Sequence, residues 1–353
     1  MKGSGSSPAQ IVTAVAAAVA LLYFFRGILV PFFLATVITV VIYAVTDFTI
    51  GLVPKAPRWI AMVLTGVVVI ALMIASFDVT LRGLAELIPQ TQQMVPRLQN
   101  LLQTAVSAVG LGKAPDLQSL LGSVDPSALV QGALANATDA LSEVGLVILF
   151  VIFLLASRTT VESRIATIAA SASRTEQFKA VLKQVDHSVR SYVLVQTLTG
   201  ALIAISAGIV MYAVGLQNVF FWSIMIFLAA YIPVVGSLVG SLAPALFALV
   251  QFPTIWQAAT TFVAILSIHT IVGNFVLPKI QAASQNINPV AGIFAFSAWS
   301  LLWGISGAIL ATPLTLTLMI VLAQFERTQW IAVLISNDGK PGERRNAAAQ
   351  HGG

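Results

Sequence analysis

Between Ser191 and Phe325 the chain holds one formal charge, Lys279, and one histidine, His269. No water-soluble fold can cover its surface from such a stretch, so most of it must lie in lipid or against other membrane helices. The whole sequence agrees: 9% of its 353 residues are charged and 58% are hydrophobic, where a soluble domain carries about 25% charged residues. In hydrocarbon only helices and closed barrels satisfy their own backbone. The long uninterrupted apolar runs favour helices, and the expected fold is an all-α polytopic membrane protein with about 8 membrane segments.

Further charge-free gaps lie between Lys2 and Arg26 and over 27–46, 59–77 and 144–157. Each holds a membrane helix, the last one barely. Residues 8–25 resemble a secretion signal but read as a retained first helix, because no small-residue cleavage site follows and another apolar run begins at once. The expected organisation is three N-terminal membrane helices in 1–77, extracytoplasmic amphipathic helices and a loop in 78–143, and a membrane helix in 144–157. A cytoplasmic helical segment in 158–190, a transport core in 191–325 and a cytoplasmic tail in 326–353 complete it.

Cationic residues set the orientation. With the N-terminus in the cytoplasm, 14 of the 18 Lys and Arg residues fall inside. The outer segment 78–143 has three basic against six acidic residues, and the inner segment 158–190 reverses that ratio. Both termini are therefore expected to be cytoplasmic. The net charge of +5 follows from this topology. The partners expected are membrane lipids and a solute, with no nucleic acid.

Catalysis has little to work with. There is no cysteine, which excludes disulfides, thiolate metal sites and cysteine nucleophiles. His187 and His351 stand alone, and no paired carboxylate, metal-spaced cluster or nucleophile elbow occurs, so no catalytic residue, metal or cofactor is expected.

Residues Leu84, Ile88, Val95, Leu98, Leu102, Ala105 and Val109 recur at spacings of three and four, with Thr91 filling the one gap, and predict a helix with one apolar stripe. Pro89 and Pro96 within it predict a kink or a break into pieces. A loop is expected over 110–125, an amphipathic helix over 126–143 and another over 175–190.

The charge-free half contains apolar segments of two lengths. Residues 191–214 and 255–277 can span. Residues 219–232 make only about 20 Å of helix at ~1.5 Å per residue, ending at Pro233-Val234-Val235-Gly236 before a second arm through Ser237, Gly240, Ser241 and Pro244. The pattern recurs as 289–303, a Gly304-Ile305-Ser306-Gly307 tip and 308–325 with Pro313 inside. Two hairpins, 219–250 and 289–325, are thus predicted, either re-entrant or as pairs of short spans. Because 191–214 runs outward and 255–277 inward, the two helix-plus-hairpin units form an inverted repeat. In secondary transporters such repeats place the substrate where helices are broken. The bland alternative is that the glycines only allow close helix packing.

At these residues the sequence resembles the autoinducer-2 exporter family. Its Ile-Pro-x-x-Gly motif stands here as Ile232-Pro233-Val234-Val235-Gly236, and its Gly-Asn-x-x-x-Pro segment as Gly273-Asn274-Phe275-Val276-Leu277-Pro278. The family's ending, Trp-Gly-x-x-Gly-x-x-x-Ala-x-Pro-Leu, matches Trp303-Gly304-Ile305-Ser306-Gly307 and Ala311-Thr312-Pro313-Leu314. Two departures stand out: Val272 occupies the place where the family often has Glu, and the Gly expected after Pro-Lys/Arg-Ile is replaced within Gln281-Ala282-Ala283. The resemblance implies a homo-oligomer, such as a pentamer, in the bacterial inner membrane, with members linked to autoinducer-2 export in quorum sensing and others to cation/proton antiport.

The expected substrate pathway comprises Pro233, Gly236, Ser237, Ser241, Asn274, Gly304, Ser306, Gly307 and Thr312, whose neutral donors and acceptors suit a small polyol-like solute. Pro244, Pro278, Pro289 and Pro313 are the expected helix breaks. Asn274 alternatively seals the broken helix, and the hydroxyls alternatively bond their own backbone. Cation/proton exchange needs an intramembrane group that changes charge, and His269 is the one available; otherwise it packs. Lys279 either snorkels to the cytoplasmic interface or attracts an anionic substrate. A membrane scaffold or regulatory oligomer is the alternative from outside transport.

Overall fold

A computed structural model describes residues 8–52, 57–108, 110, 113–116, 119, 126–168, 172–232, 235–277 and 286–341. Its helices are α1 (Pro8–Phe24), α2 (Arg26–Leu52), α3 (Arg58–Ala108), α4 (Pro126–Ile168), α5 (Ala172–Val214), α6 (Val219–Ala230), α7 (Val235–Gln251), α8 (Ile255–Ile271), α9 (Pro289–Leu322) and α10 (Gln329–Ile335). A π-helical turn, Val272–Val276, continues α8. No strand occurs among the described residues beyond the isolated bridge Ile287 to Ser336. Among the described residues five stretches are long and apolar enough to cross a membrane: Arg26–Leu52, Arg58–Gln90, Lys179–Val214, Ile255–Val276 and Pro289–Leu322. Shorter apolar helices are Val12–Phe24, Glu143–Ser157, Val219–Ala230 and Gly236–Gln251.

Helices outrun the hydropathy boundaries. The apolar run and the amphipathic stripe expected as separate pieces form one helix, α3, with Pro89 and Pro96 inside it. The break does not occur: each proline removes one backbone donor, and the helix continues through both. Likewise α4 joins the amphipathic 126–143 to the apolar 144–157, and α5 joins 175–190 to 191–214. A charge boundary marks where a helix changes surroundings, and the backbone ladder has no reason to stop there.

The chain divides into two compact units: residues 1–41, 143–193 and 283–353 form one, and residues 42–142 and 194–282 form the other. In the second unit, α6 and α7 fold against each other as an antiparallel pair, with Trp222 and Phe247 rings 5.5 Å apart. Phe221, Trp222, Ile226, Phe247 and Ala248 of this pair bury themselves with Ile203, Ala207 and Met211 of α5 and Ala258 and Ile265 of α8. Val79, Leu84 and Leu87 of α3 pack onto the same cluster; Leu84 is the member of the stripe that this core includes. Small residues allow these approaches: a Cβ on Gly83 would enter the Phe221 ring.

The first unit is built around the second part of α9. Leu310 and Leu314 pack with Val30 and Trp303, and Leu316 and Met319 with Val40, Tyr192, Val193 and Ala332. The described residues after Glu326 pack back on the segment before α9. There Asn286 donates to Asp338 at 2.6 Å and accepts from the backbone N–H groups of Asn337 and Asp338.

Candidate functional site

Each unit holds a place where helical segments fold back against one another. In the second unit the α6 helix ends at Ala230, and Tyr231 and Ile232 begin the turn. A broken helix leaves carbonyls without partners, and α5 supplies one: Gln196 Nε2 donates to the Ala230 carbonyl at 2.6 Å. Beside it, the Thr197 and Tyr231 hydroxyls are 2.7 Å apart. The returning arm begins with a close approach, because a Cβ on Gly236 would overlap the Ala229 carbonyl. No side chain stands between the two backbones, which is why glycine is required there.

The hairpin of the first unit lies within α9. Gly304, at φ 62° and ψ −141°, interrupts α9 with a conformation open to glycine and costly for other residues. Trp299 Nε1 donates to Thr315 Oγ1 at 3.2 Å, yet residues sixteen apart on a straight helix would be about 24 Å apart. The 289–303 arm therefore folds back on the 305–322 arm. The same device as before holds them: a Cβ on Gly307 would overlap the Trp299 carbonyl.

The remaining residues are placed as follows. Ser241 is fully buried, and its hydroxyl donates to the Ser237 carbonyl at 2.7 Å, the local backbone bond weighed as its alternative role. Ser237, Ser306 and Thr312 are half-buried, and Pro244 and Pro313 are buried inside continuing helices. Neither of these two prolines is a break in its helix, contrary to expectation, since their helices run on through them. Asn288 caps α9, accepting from the Val290 N–H at 2.9 Å, with Pro289 as the first helical residue; Pro289 therefore starts a helix. Asn274 is exposed on the π-helical turn. His269 is buried, with its ring over Gly240. Pro233, Pro278 and Lys279 lie outside the described residues. Among the described residues no group of three or more His, Cys, Asp or Glu side chains is placed to hold a metal.

Glycine-on-carbonyl contacts between helical segments, in a chain whose described residues hold five membrane-length apolar stretches, suit a multi-pass membrane protein. A family model described as "AI-2E family transporter" matches residues 12–327. This chain belongs to the AI-2E transporter family.

Relatives agree with that membership at low identity. The AI-2 transport protein TqsA of Escherichia coli (strain K12) is 26% identical over 323 residues, covering 90% of this chain and 92% of that protein. A putative transport protein of Haemophilus influenzae is 24% identical over 321 residues, 88% of this chain and 90% of its own length. The putative transport protein YrrI of Bacillus subtilis matches over 200 residues at 24% identity, 56% of each chain.

Within this AI-2E transporter the sequence reading passed over Gln196, Thr197 and the Trp299 to Thr315 pair. Gln196 had a readable signal: an amide inside the apolar run 191–214 must find a partner in the membrane. Trp303 was quoted only as part of a motif, yet its indole donates to the Leu22 carbonyl at 3.0 Å. Leu22 stands one turn before the break at Phe25 that separates α1 from α2, so this bond serves a second interrupted helix.

Proposed function

We propose that this AI-2E transporter is a secondary carrier that exports a small polar solute, of the autoinducer-2 kind, across the bacterial inner membrane. The observation that supports the reading is the pair of hairpins, each reversed at membrane-type segments and each with a glycine seated on a carbonyl of the opposing arm. Broken helices expose backbone donors and acceptors that protein, water or solute must satisfy, which suits them to line a polar path.

About eight membrane segments, an inverted repeat, cytoplasmic termini and a homo-oligomer complete the proposal. The positive-inside count supports the orientation. In the first hairpin and its neighbours the pathway residues are Pro233, Gly236, Ser237, Ser241 and Asn274; in the second they are Gly304, Ser306, Gly307 and Thr312. Asn274 is the member with an exposed polar side chain on an irregular turn, and it is assigned direct contact with the solute.

The test is uptake of labelled autoinducer-2 into inverted vesicles, with and without an imposed proton gradient. Export predicts uptake above that of vesicles lacking the protein, lost in Asn274→Leu. Uptake equal to empty vesicles for every solute tried, while the protein remains folded and oligomeric, would favour the scaffold reading.

A further inference from the structure

We propose that His269 is a proton-binding site whose occupation releases the second arm of the first hairpin, α7, from α8. His269 lies in the last turn of α8 and is 8% exposed. Its Nδ1 stands 3.1 Å from the Ile265 carbonyl, and a carbonyl only accepts, so the hydrogen sits on Nδ1. Nε2 is then a bare acceptor, buried and without a hydrogen-bond partner.

The seat of that ring is the backbone of Gly240. A Cβ at Gly240 would lie 3.2 Å from Cε1, 3.4 Å from Nε2 and 3.6 Å from Ile226 of α6. What α7 presents to Nε2 is thus the backbone of Gly240, with no side chain to bond it. A neutral ring can occupy this seat at the expense of one unmade bond. A protonated ring would bring an N–H and a full charge to the same buried contact, which is far more costly.

Among the described residues no ionisable group is placed to relieve the charge. Helices α6 and α7 and the π-helical turn contain no titratable residue, and α8 contains only His269. On α3, which packs on the hairpin, Asp78 and Arg82 pair with each other at 2.9 Å in exposed positions, Glu86 is exposed, and Arg97 bonds the Phe252 carbonyl. On α5, Tyr212 is exposed, and Tyr231 at the tip is held by Thr197. A proton on Nε2 and the contact with Gly240 therefore exclude one another. The π-helical turn begins three residues beyond His269, and such turns mark places where a helix changes register, which gives α8 a point about which to move.

The consequence for coupling rests on the transport reading above, but the latch itself can be tested without transport. The chain has no cysteine, so Ser241→Cys places a single thiol next to the seat at a fully buried position. The full-length protein in liposomes is treated with a maleimide from about pH 8 to about pH 4.5, a window that extends well below the range in which a free histidine titrates. The rate is divided by that of Ser241→Cys/His269→Gln at the same pH, which cancels the intrinsic pH dependence of the thiol.

The ratio is expected to rise by about tenfold toward low pH as the histidine charges. Gly240→Ala, which crowds the ring, is expected to label fast at pH 8 and to gain little on acidification. It gives the same comparison if the glutamine variant does not fold. A ratio flat across the range, or an unchanged pH response in Gly240→Ala, overturns the proposal. A pH-dependent ratio in a protein that moves no solute would leave the latch standing and remove the transport reading instead.

Discussion

The two hairpins reach one geometry by different chemistry. The first begins its turn at Tyr231 and Ile232 and draws polar help from α5, where Gln196 takes the Ala230 carbonyl and Thr197 meets Tyr231. The second turns at Gly304 alone and lends polar help: Trp299 bonds Thr315 across its own arms, and Trp303 bonds Leu22 of α1. What they share is the glycine on a carbonyl just past the turn, Gly236 on Ala229 and Gly307 on Trp299. The close backbone approach is the common requirement of folding a helix back in an apolar medium, and the means of satisfying the freed polar groups is local.

The largest effects are expected where the two hairpins agree. Gly236→Ala and Gly307→Ala each place a methyl group on a backbone carbonyl that has no flexible atom to move aside. Overpacking of this kind costs about 3 kcal/mol, and more if the arms separate. Both variants should lower the denaturation midpoint in mixed detergent micelles by a similar amount. A large loss in one and none in the other would show that the shared contact is not a shared requirement.

Where the hairpins differ, the second should be the more sensitive at its turn. Gly304→Ala meets no atom within 4 Å, so its cost is backbone strain alone. At φ 62° and ψ −141° that is about 2 kcal/mol. A change of Ile232 to Ala in the first turn carries no such strain and should cost less. Equal losses in the same denaturation series would mean that the second turn relaxes by redistributing its bend.

This contrast also explains what could be read from the residues. The short segment 219–232 and the Pro-Gly punctuation announced a hairpin, and α6 and α7 lie where the punctuation put them. Gly304 and Gly307 were readable for the same reason. Pro89, Pro96, Pro244 and Pro313 carried the same symbol without the same outcome, because a proline removes one donor while a reversal needs a residue that can turn or a carbonyl that can be covered. Charge boundaries predicted helix ends at 143 and 190 and found none, since length in α4 and α5 is limited by backbone continuity and not by hydropathy. Pairings across distant parts of the chain, such as Gln196 with Ala230 or His269 with Gly240, have no local pattern at all.

A smaller effect distinguishes borrowed from self-supplied polar groups. Gln196→Leu leaves the Ala230 carbonyl at the end of a broken helix without its donor, a loss of about 1–2 kcal/mol in an apolar surrounding. Thr315→Val removes one hydroxyl that both accepts from Trp299 and donates to the Ala311 carbonyl. That carbonyl keeps a helical environment, so about 1 kcal/mol is expected. Double-mutant cycles separate the two designs: Gln196→Leu should couple to changes at the first tip and be additive with Thr315→Val, since each hairpin satisfies its turn within its own unit. Coupling of more than about 0.5 kcal/mol between Gln196 and Thr315 would mean that the two reversals are energetically one element, and the comparison between them would have to be redrawn around that link.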